Sequence, residues 1–269
     1  MKIINNKNKL IKLIHREKNL GFIPTMGAIH IGHISLIEKA SNECNKTIVS
    51  IFINKPQFNK PNDFVNYPRS LDKDILALKK NKVDFLYIPT FNEIYPKGVN
   101  KNIKISSFKK KLCGKFRPGH FESVVDVIDR FIKIIKPKKI YFGEKDMQQL
   151  KIVEEFIKRN HICVKVVECK TVRDKNGLAL SSRNFLLTEK EKNIGSEVYK
   201  LIKSKKKYLI KNLNYLKELR KKILSLGVKK IDYIELININ KIIKPFSKKN
   251  KFKIFIAYYL GEVRLIDNI

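Results

Sequence analysis

The chain has 269 residues, 43% of them hydrophobic, enough to bury a sizeable core in one large or two moderate domains. Its 58 Lys and Arg against 25 Asp and Glu give a formal net charge of +33, a field that favours anionic partners. Lys, Ile and Asn are abundant from end to end, as compositional drift leaves them, and no interleaving of aromatic and basic residues of the kind that binds single strands is present.

In chain order, Leu10, Ile11, Leu13 and Ile14 predict an opening helix within Lys7 to Lys18. Leu20 to Pro24 reads as a strand and Ser35 to Cys44 as a helix with Leu36, Ile37 and Ala40 inward. Thr47 to Ile53 is β-branched and apolar, a strand buried on both faces. A helix over Leu71 to Lys80 and a strand over Val83 to Ile88, stopped by Pro89, come next. Phe121 to Ile135 is a well-patterned helix. It is followed by a strand over Lys139 to Phe142, a helix over Asp146 to Arg159 and a strand over Ile162 to Glu168. Alternating strands and helices predict an α/β fold, a Rossmann-like parallel sheet covered on both faces, with ligands at the carboxyl ends of its strands.

After about Leu187 the pattern changes. Lysine-rich helices over Thr188 to Ile210 and Leu213 to Leu226 precede strands over Ile231 to Ile237, Phe252 to Tyr259 and Val263 to Ile266, the last two turning at Leu260 to Glu262. Lys244 to Asn250 reads as a loop. The expected division is a Rossmann-like domain over 1–177 and a smaller α+β domain over 178–269. The densest basic tract, Lys200 to Lys222, holds Glu218 as its only acid and reads as solvated helix. Cys44, Cys113, Cys163 and Cys169 form no C-x-x-C pair, which excludes a zinc ribbon or a dithiol redox motif and fits a reducing compartment. Met1 to Asn8 lacks the apolar region of a signal peptide, and no run is long and apolar enough to span a bilayer. A soluble cytoplasmic protein is expected.

Five segments carry groups suited to chemistry. Pro24 to His33, P-T-M-G-A-I-H-I-G-H, joins a strand to a helix through Gly27 and Gly32. A helix start there offers unpaired N–H groups and a positive dipole end to phosphate, and His30 and His33 add two donors for a shifting phosphoryl charge. Three apart, the two histidines could instead bind a metal, but a zinc site needs a third ligand and no H-E-x-x-H pattern exists. Gly143-Glu144-Lys145-Asp146 follows a strand and points a cation and backbone N–H groups at one spot; Glu144 and Asp146 could equally cap the helix. Leu180-Ser181-Ser182-Arg183 sets two hydroxyls and a guanidinium on a loop, a set suited to phosphate oxygens. Asn54-Lys55-Pro56-Gln57-Phe58 places amides beyond a strand, where they suit a small hydroxylated substrate. Arg117-Pro118-Gly119-His120-Phe121 is expected to be a mobile loop whose Arg117 either meets a carboxylate or is solvated.

These segments, in this order, resemble the pantothenate synthetase (pantoate–β-alanine ligase) family, together with V-S-I-F-I-N-K-P-Q-F from Val49, Y-P-R-S from Tyr67, F-G-E-K-D-M-Q-Q-L from Phe142, G-L-A-L-S-S-R-N from Gly177 and G-E-V-R-L-I-D-N from Gly261. The histidine motif alone is shared with class I aminoacyl-tRNA synthetases and nucleotidylyltransferases. The resemblance implies a homodimer that joins pantoate to β-alanine through a pantoyl adenylate, using ATP and Mg²⁺ and releasing AMP and pyrophosphate. It gives no ligand for the metal, which phosphates and water can hold. It implies catalytic roles for His30, His33, Lys145, Ser181, Ser182 and Arg183, with His33 matching the proton donor. Met26, Gly27, Ala28, Ile29, Ile31, Gly32, Gly143, Glu144, Asp146, Val172 and Leu180 join these around ATP, and Gln57, Gln149 and Asn54 take the acid substrate. The chain departs from the family pattern at Lys55, where Pro is usual, at Ser123, where Gly is usual, and at the acids Asp126 and Asp129. The rival enzyme class is a nucleotidylyltransferase, which keeps the nucleotide in its product. The rival outside enzymes is a basic RNA-binding protein on an inactive nucleotide fold.

Overall fold

The computed structural model describes residues 1–242 and 250–269. The chain opens with β1 (Lys2–Ile4), α1 (Lys7–Ile14), β2 (Leu20–Thr25), α2 (Ile31–Glu43) and β3 (Lys46–Ile51). It continues through α3 (Pro61–Val65), α4 (Leu71–Lys80), β4 (Phe85–Tyr87), α5 (Phe91–Ile94), α6 (Cys113–Phe116) and α7 (His120–Ile135). Next come β5 (Lys139–Gly143), α8 (Met147–Arg159) and β6 (Lys165–Cys169), and then α9 (Glu189–Lys211), α10 (Tyr215–Ser225), β7 (Lys230–Asn238), β8 (Phe252–Leu260) and β9 (Val263–Asn268).

The first six strands form one parallel sheet in the order β1-β4-β3-β2-β5-β6. From β2 the chain winds outward through β3 and β4, then crosses back to place β5 on the other side of β2. That reversal opens a crevice beyond the carboxyl ends of β2 and β5, where a doubly wound sheet binds its ligands. Successive strand residues alternate between two cores, as a two-residue period dictates. Phe22, Ile48, Tyr87, Ile140 and Phe142 pack under α1, α7 and α8. Ile23, Val49, Leu86 and Tyr141 pack under α2 and α4.

The antiparallel sheet β7-β8-β9 is two-faced in the same way. Ile254, Ile256 and Tyr258 of β8 meet α9 and α10 in a separate core, whereas Phe255 and Ala257, with Tyr233, join the core under α7 and α8. The small sheet is thereby seated against the large one. The lysine-rich helices are amphipathic: Val198, Ile202, Leu209, Leu219 and Ile223 are buried, and most of their lysines face solvent.

The expected architecture and the order of its expected elements hold; β1, α3, α5 and α6 are additional, and several boundaries shift. β1 is an edge strand of three residues, too short to show a period among charged neighbours. α2 begins at Ile31, a full turn before Ser35, because an unusual histidine cap starts it. β6 begins at Lys165; Ile162 and Val164 serve as apolar fillers of the preceding connection. The loop expected over Lys244 to Asn250 lies, Asn250 apart, outside the described residues. Cys44, Cys113 and Cys169 are buried, Cys163 is exposed, and all are free. Among the described residues no helix is long and apolar enough to cross a membrane.

Gly177 has a φ of +103°, and a Cβ there would lie 2.3 Å from the Tyr199 ring. The ring cannot retreat, because it is stacked at 4.0 Å on the Arg173 guanidinium, which Asp267 holds by two bonds of 2.6 and 2.9 Å. Gly177→Ala is expected to lower the unfolding free energy by about 3 kcal/mol, combining left-handed strain with overpacking. Urea denaturation measures it, and an unshifted midpoint would refute this account of the packing.

Candidate active site

The cleft begins with a strained turn. Gly27 and Ala28 follow β2 with φ values of +79° and +49°. The left-handed region suits glycine but costs an alanine about 1 kcal/mol or more. Asp74, on the inward face of α4 and 3% exposed, offsets that cost. Its carboxylate accepts the N–H of Ala28 at 2.8 Å and that of Ile29 at 2.7 Å. Ser182 donates to the Ala28 carbonyl at 3.1 Å, tying the Ser-Ser-Arg loop to the same turn.

The turn delivers His30 to the start of α2, where the two imidazoles cap the helix reciprocally. The N–H of Gly32 donates to Nδ1 of His30 at 3.0 Å, and the N–H of His30 donates to Nδ1 of His33 at 3.3 Å. Gly32 is required there, since a Cβ would lie 2.8 Å from the His30 ring. An Nδ1 that accepts leaves the ring proton on Nε2. Each histidine is therefore a neutral donor through Nε2, with ring centroids 4.0 Å apart. Burial, and then the charge of Lys145, lowers His30 to about 4. Burial, then His30 and Lys145, holds His33 well below the ordinary imidazole range.

This geometry corrects one expectation. Most N–H groups of the turn and of the helix start are not open to phosphate: Asp74 takes those of Ala28 and Ile29, and His30 those of Gly32, His33 and Ile34, leaving that of Ile31 without an acceptor among the described residues. Most of the donors left are side chains.

The amide group is equally ordered. Tyr95 and Asn54 are 3% and 1% exposed. Nδ2 of Asn54 donates to the Ser123 carbonyl at 3.1 Å, which fixes the orientation of that amide. The same nitrogen donates to Oε1 of Gln57 at 3.1 Å, and Oδ1 of Asn54 must accept the Tyr95 hydroxyl at 2.8 Å. With its oxygen occupied, Gln57 turns its Nε2 toward Sδ of Met26 and the cleft. Asn54 is thus a support with every polar atom engaged. Gln149 lines the cleft with no hydrogen-bond partner for its amide among the described residues. Its neighbour Gln148 is consumed by the N–H of Cys113 and the carbonyls of Phe108 and Lys111.

Arg117 and His120, expected in a mobile loop, are clasped to this group. Nδ1 of His120 donates to the Gln57 carbonyl at 2.8 Å, so its Nε2 accepts from Arg117 at 3.1 Å. Burial, then Arg117, keeps His120 neutral. Ser123 donates to the Pro56 carbonyl at 3.0 Å, beside Lys55, so two of the departures from the family pattern lie close together. Asp126 binds Arg130 and the N–H of Asn100, away from the cleft.

On the opposite wall, Nδ2 of Asn268 holds the carbonyls of Glu144 and Lys145 at 2.7 and 2.9 Å. The strand β9 thereby fixes the Gly143–Asp146 turn. Neither acid caps α8 through its side chain: Glu144 faces Lys253 at 3.6 Å and Asp146 faces Lys145 at 3.6 Å. A Cβ on Gly143 would meet nothing within 4 Å, so the glycine leaves room on the cleft side. Ser181 accepts the N–H of Arg183 and keeps its own proton free, whereas Ser182 has committed its proton to the turn. Arg183 is forked onto Asp63 at 2.9 to 3.2 Å through Nε and Nη2, and its guanidinium lies 5.4 Å from the Tyr67 ring.

One cleft brings together Met26, His30, Gly32, His33, Asn54, Gln57, Gly143, Lys145, Asp146, Gln149, Val172, Leu180, Ser181, Ser182 and Arg183. Gly27, Ala28, Ile29, Ile31 and Glu144 do not line it: the first three form the back of the turn, and Ile31 is 68% exposed. Sequence reasoning does not find Asp74, Asp63, Tyr95 or Asn268. Asp74 leaves a signal as an acid in helical phase with buried Leu78, and Asn268 closes the G-E-V-R-L-I-D-N segment without a role being read for it.

The model of the pantoate-beta-alanine ligase family matches residues 2–269. A pantothenate synthetase of Sulfurihydrogenibium sp. (strain YO3AOP1) is 38% identical, covering 100% of this chain and 99% of its own. One from Francisella tularensis subsp. mediasiatica is 41% identical over 97% of this chain and 92% of its own. Among solved structures, pantothenate synthetase from Thermus thermophilus superposes with a TM-score of 0.91 at 30% identity, covering 100% of this chain and 99% of that one. Pantoate-beta-alanine ligase from Francisella tularensis, complexed with beta-gamma ATP and beta-alanine, has a TM-score of 0.83 at 38% identity, covering 100% and 97%.

His30, His33 and His120 all sit below the ordinary value of 6.5, so the unfolded chain takes up protons first as the pH falls. The stabilisation from His30 is complete above about 6.5 and is lost toward about 4, and His33 and His120 lose theirs in the same direction as the pH falls. Urea midpoints are expected to fall across that window, with a shallower slope in His30→Asn. An unchanged slope in the variant would contradict the burial of a neutral His30.

Proposed function

The chain belongs to the pantoate-beta-alanine ligase family, and from that premise we propose how its cleft carries out the reaction. The enzyme condenses pantoate with β-alanine with cleavage of ATP, forming pantothenate, AMP and pyrophosphate. A carboxylate oxygen of pantoate attacks the α-phosphorus. The bond to the β-phosphoryl oxygen breaks, and pyrophosphate leaves with the electron pair. The amine of β-alanine then attacks the acyl carbon of pantoyl adenylate. The bond to AMP breaks as the amide forms, and the nitrogen gives up a proton.

The observation that best supports this assignment is the fixed tautomer of the histidine pair. His30 and His33 hold their protons on Nε2, the polarity needed to donate to phosphoryl oxygens without a competing cation to desolvate. Lys145, the Ser181 hydroxyl and Nη1 of Arg183 take the remaining phosphate charge. Ser182 acts through the turn it ties down. The nucleotide lies along Met26, Gly143 to Asp146, Val172 and Leu180. Gln57 donates to an oxygen of pantoate and Gln149 offers its free amide, so neutral dipoles orient the acid while leaving its carboxylate nucleophilic.

ATP enters as its Mg²⁺ chelate. Among the described residues no group of three or more His, Cys, Asp or Glu side chains is arranged to hold a metal ion; phosphate oxygens and water can supply much of its coordination. Leu178 belongs to the second core, which supports dividing the chain into 1–177 and 178–269. We carry the homodimer and the cytoplasmic location over from the family resemblance.

The direct test is AMP release from ATP·Mg²⁺ with pantoate, with and without β-alanine. Sustained AMP and pantothenate only with both substrates is the expected result; nucleotide retained in the product would point to nucleotidyl transfer instead. His33→Ala and Lys145→Ala are each expected to lower kcat by about a hundredfold or more while folding survives. Near-normal turnover in both would overturn the site. Tyr95→Phe removes the donor that orients Asn54 and through it Gln57. It is expected to raise KM for pantoate about tenfold with KM for ATP unchanged; a loss of thermal stability with no change in KM would make Tyr95 merely structural.

A further inference from the structure

The helix α7 reaches the acid-binding amides from two directions. Its first turn does so directly, through the His120 ring on the Gln57 carbonyl and the Ser123 carbonyl on Asn54. Further along, Asp126 and Arg130 reach the same amides from behind, through Tyr95. Positions 123, 126 and 130 follow one another at spacings of three and four, and so share one stripe of the helix.

Asp126 is 3% exposed and is one of the points at which the chain departs from the family pattern. Its Oδ1 accepts Nε of Arg130 at 2.7 Å, and its Oδ2 accepts the N–H of Asn100 at 2.8 Å. Nη1 and Nη2 of Arg130 donate to the carbonyls of Ile94 and Gly98 at 2.9 and 3.0 Å. Those carbonyls bracket Tyr95, Pro96 and Lys97, a turn closed by the N–H of Gly98 on the Tyr95 carbonyl at 3.0 Å. The guanidinium also lies 4.5 Å from the centroid of the Tyr95 ring. One side chain outside the cleft thus fixes the backbone on both sides of Tyr95 and the direction of its ring. A guanidinium supplies donors in three directions and a flat face, whereas an ammonium would keep the charge and lose both.

We propose that Arg130, braced by Asp126, is a positioning residue for the acid substrate, acting through Tyr95 and Asn54 on the direction of the Gln57 amide. The inference rests on the ligase function above. The Tyr95 hydroxyl donates to Oδ1 of Asn54 at 2.8 Å, and Nδ2 of Asn54 holds Oε1 of Gln57 at 3.1 Å. A Tyr95 ring free to swing leaves a buried amide oxygen without its donor, and the cost of that orphan falls on the orientation of both amides. Gln57 then no longer presents its N–H to pantoate in a fixed direction. Asp126 is needed because a buried guanidinium without an anion is costly.

The test compares Arg130→Lys, which keeps the ion pair and loses the fork, with Asp126→Thr/Arg130→Met, which removes both charges and leaves neither buried alone. Thermal melting shows that each is folded. In pantoate-dependent exchange of pyrophosphate into ATP, both are expected to raise KM for pantoate about tenfold, with KM for ATP near the wild-type value. The decisive measurement is Arg130→Lys combined with Tyr95→Phe. Members of one chain of bonds are not additive, so the combination is expected to raise KM for pantoate about tenfold, as either change does alone, whereas independent sites would multiply to about a hundredfold. A lower melting temperature with KM for pantoate unchanged would make Arg130 merely structural and overturn the proposal. So would an equal rise in both KM values, or multiplication in the combined variant. Absence of pantoate-dependent exchange in the wild type would instead overturn the ligase function, and this proposal with it.

Discussion

The cleft depends on one buried carboxylate. Asp74 is 3% exposed and has no cationic partner among the described residues; the N–H groups of Ala28 and Ile29 and the Ser70 hydroxyl balance its charge. Those bonds hold an alanine in the left-handed region directly after β2. The turn sets the position of His30, exposes the carbonyl that Ser182 grips and brings the Ser-Ser-Arg loop from more than 150 residues away to the end of the central strand. A buried anion satisfied only by dipoles is costly to place and costlier to lose, because its removal leaves two N–H groups unpaired. The strain of the turn and the charge of Asp74 are each tolerable only in the presence of the other.

The protein has also occupied the wrong half of each amphoteric side chain before a ligand arrives. Imidazoles and amides can donate or accept. At His30 and His33 the accepting nitrogen is used by backbone N–H groups, and at Gln57 the accepting oxygen is used by Asn54. The Ser123 carbonyl, which can only accept, fixes the direction of that chain of bonds. What faces the cleft is therefore a set of donors, matched to phosphate, carboxylate and hydroxyl oxygens. Preorganisation of this kind means that no group must turn over when charge develops.

Much of this was legible in the sequence. Buried strands announce themselves by apolar runs, and motif residues at their carboxyl ends fall where a parallel sheet opens its crevice. Polarity was not legible. H-x-G-H reads as two donors beside a free helix start, whereas the structure makes the histidines themselves the cap. The supporting residues Tyr95, Asp63 and Asn268 lie 41, 120 and 123 to 124 positions from the groups they hold. Nothing local marks a tyrosine that orients an asparagine, because its neighbours in sequence are chosen for packing. Asp74 left a physical trace, since an acid on the inward stripe of a helix must have a partner, and Asn268 left only its place at the end of a family motif.

Charge at the centre of the cleft is set before its occupant arrives. Burial and Lys145 hold His30 and His33 neutral. A triphosphate laid against Lys145 offsets the second of these causes and supplies acceptors to both Nε2 protons. With a backbone N–H on each Nδ1, neither ring can take a second proton without losing its cap, so both remain neutral Nε2 donors as negative charge gathers beside them. The uniform excess of lysine elsewhere on the surface draws anions toward the protein without distinguishing among them. Discrimination rests on the few cations in the cleft whose geometry the protein already fixes, Arg183 and Arg264 by carboxylates and Arg117 by the Gln57 carbonyl.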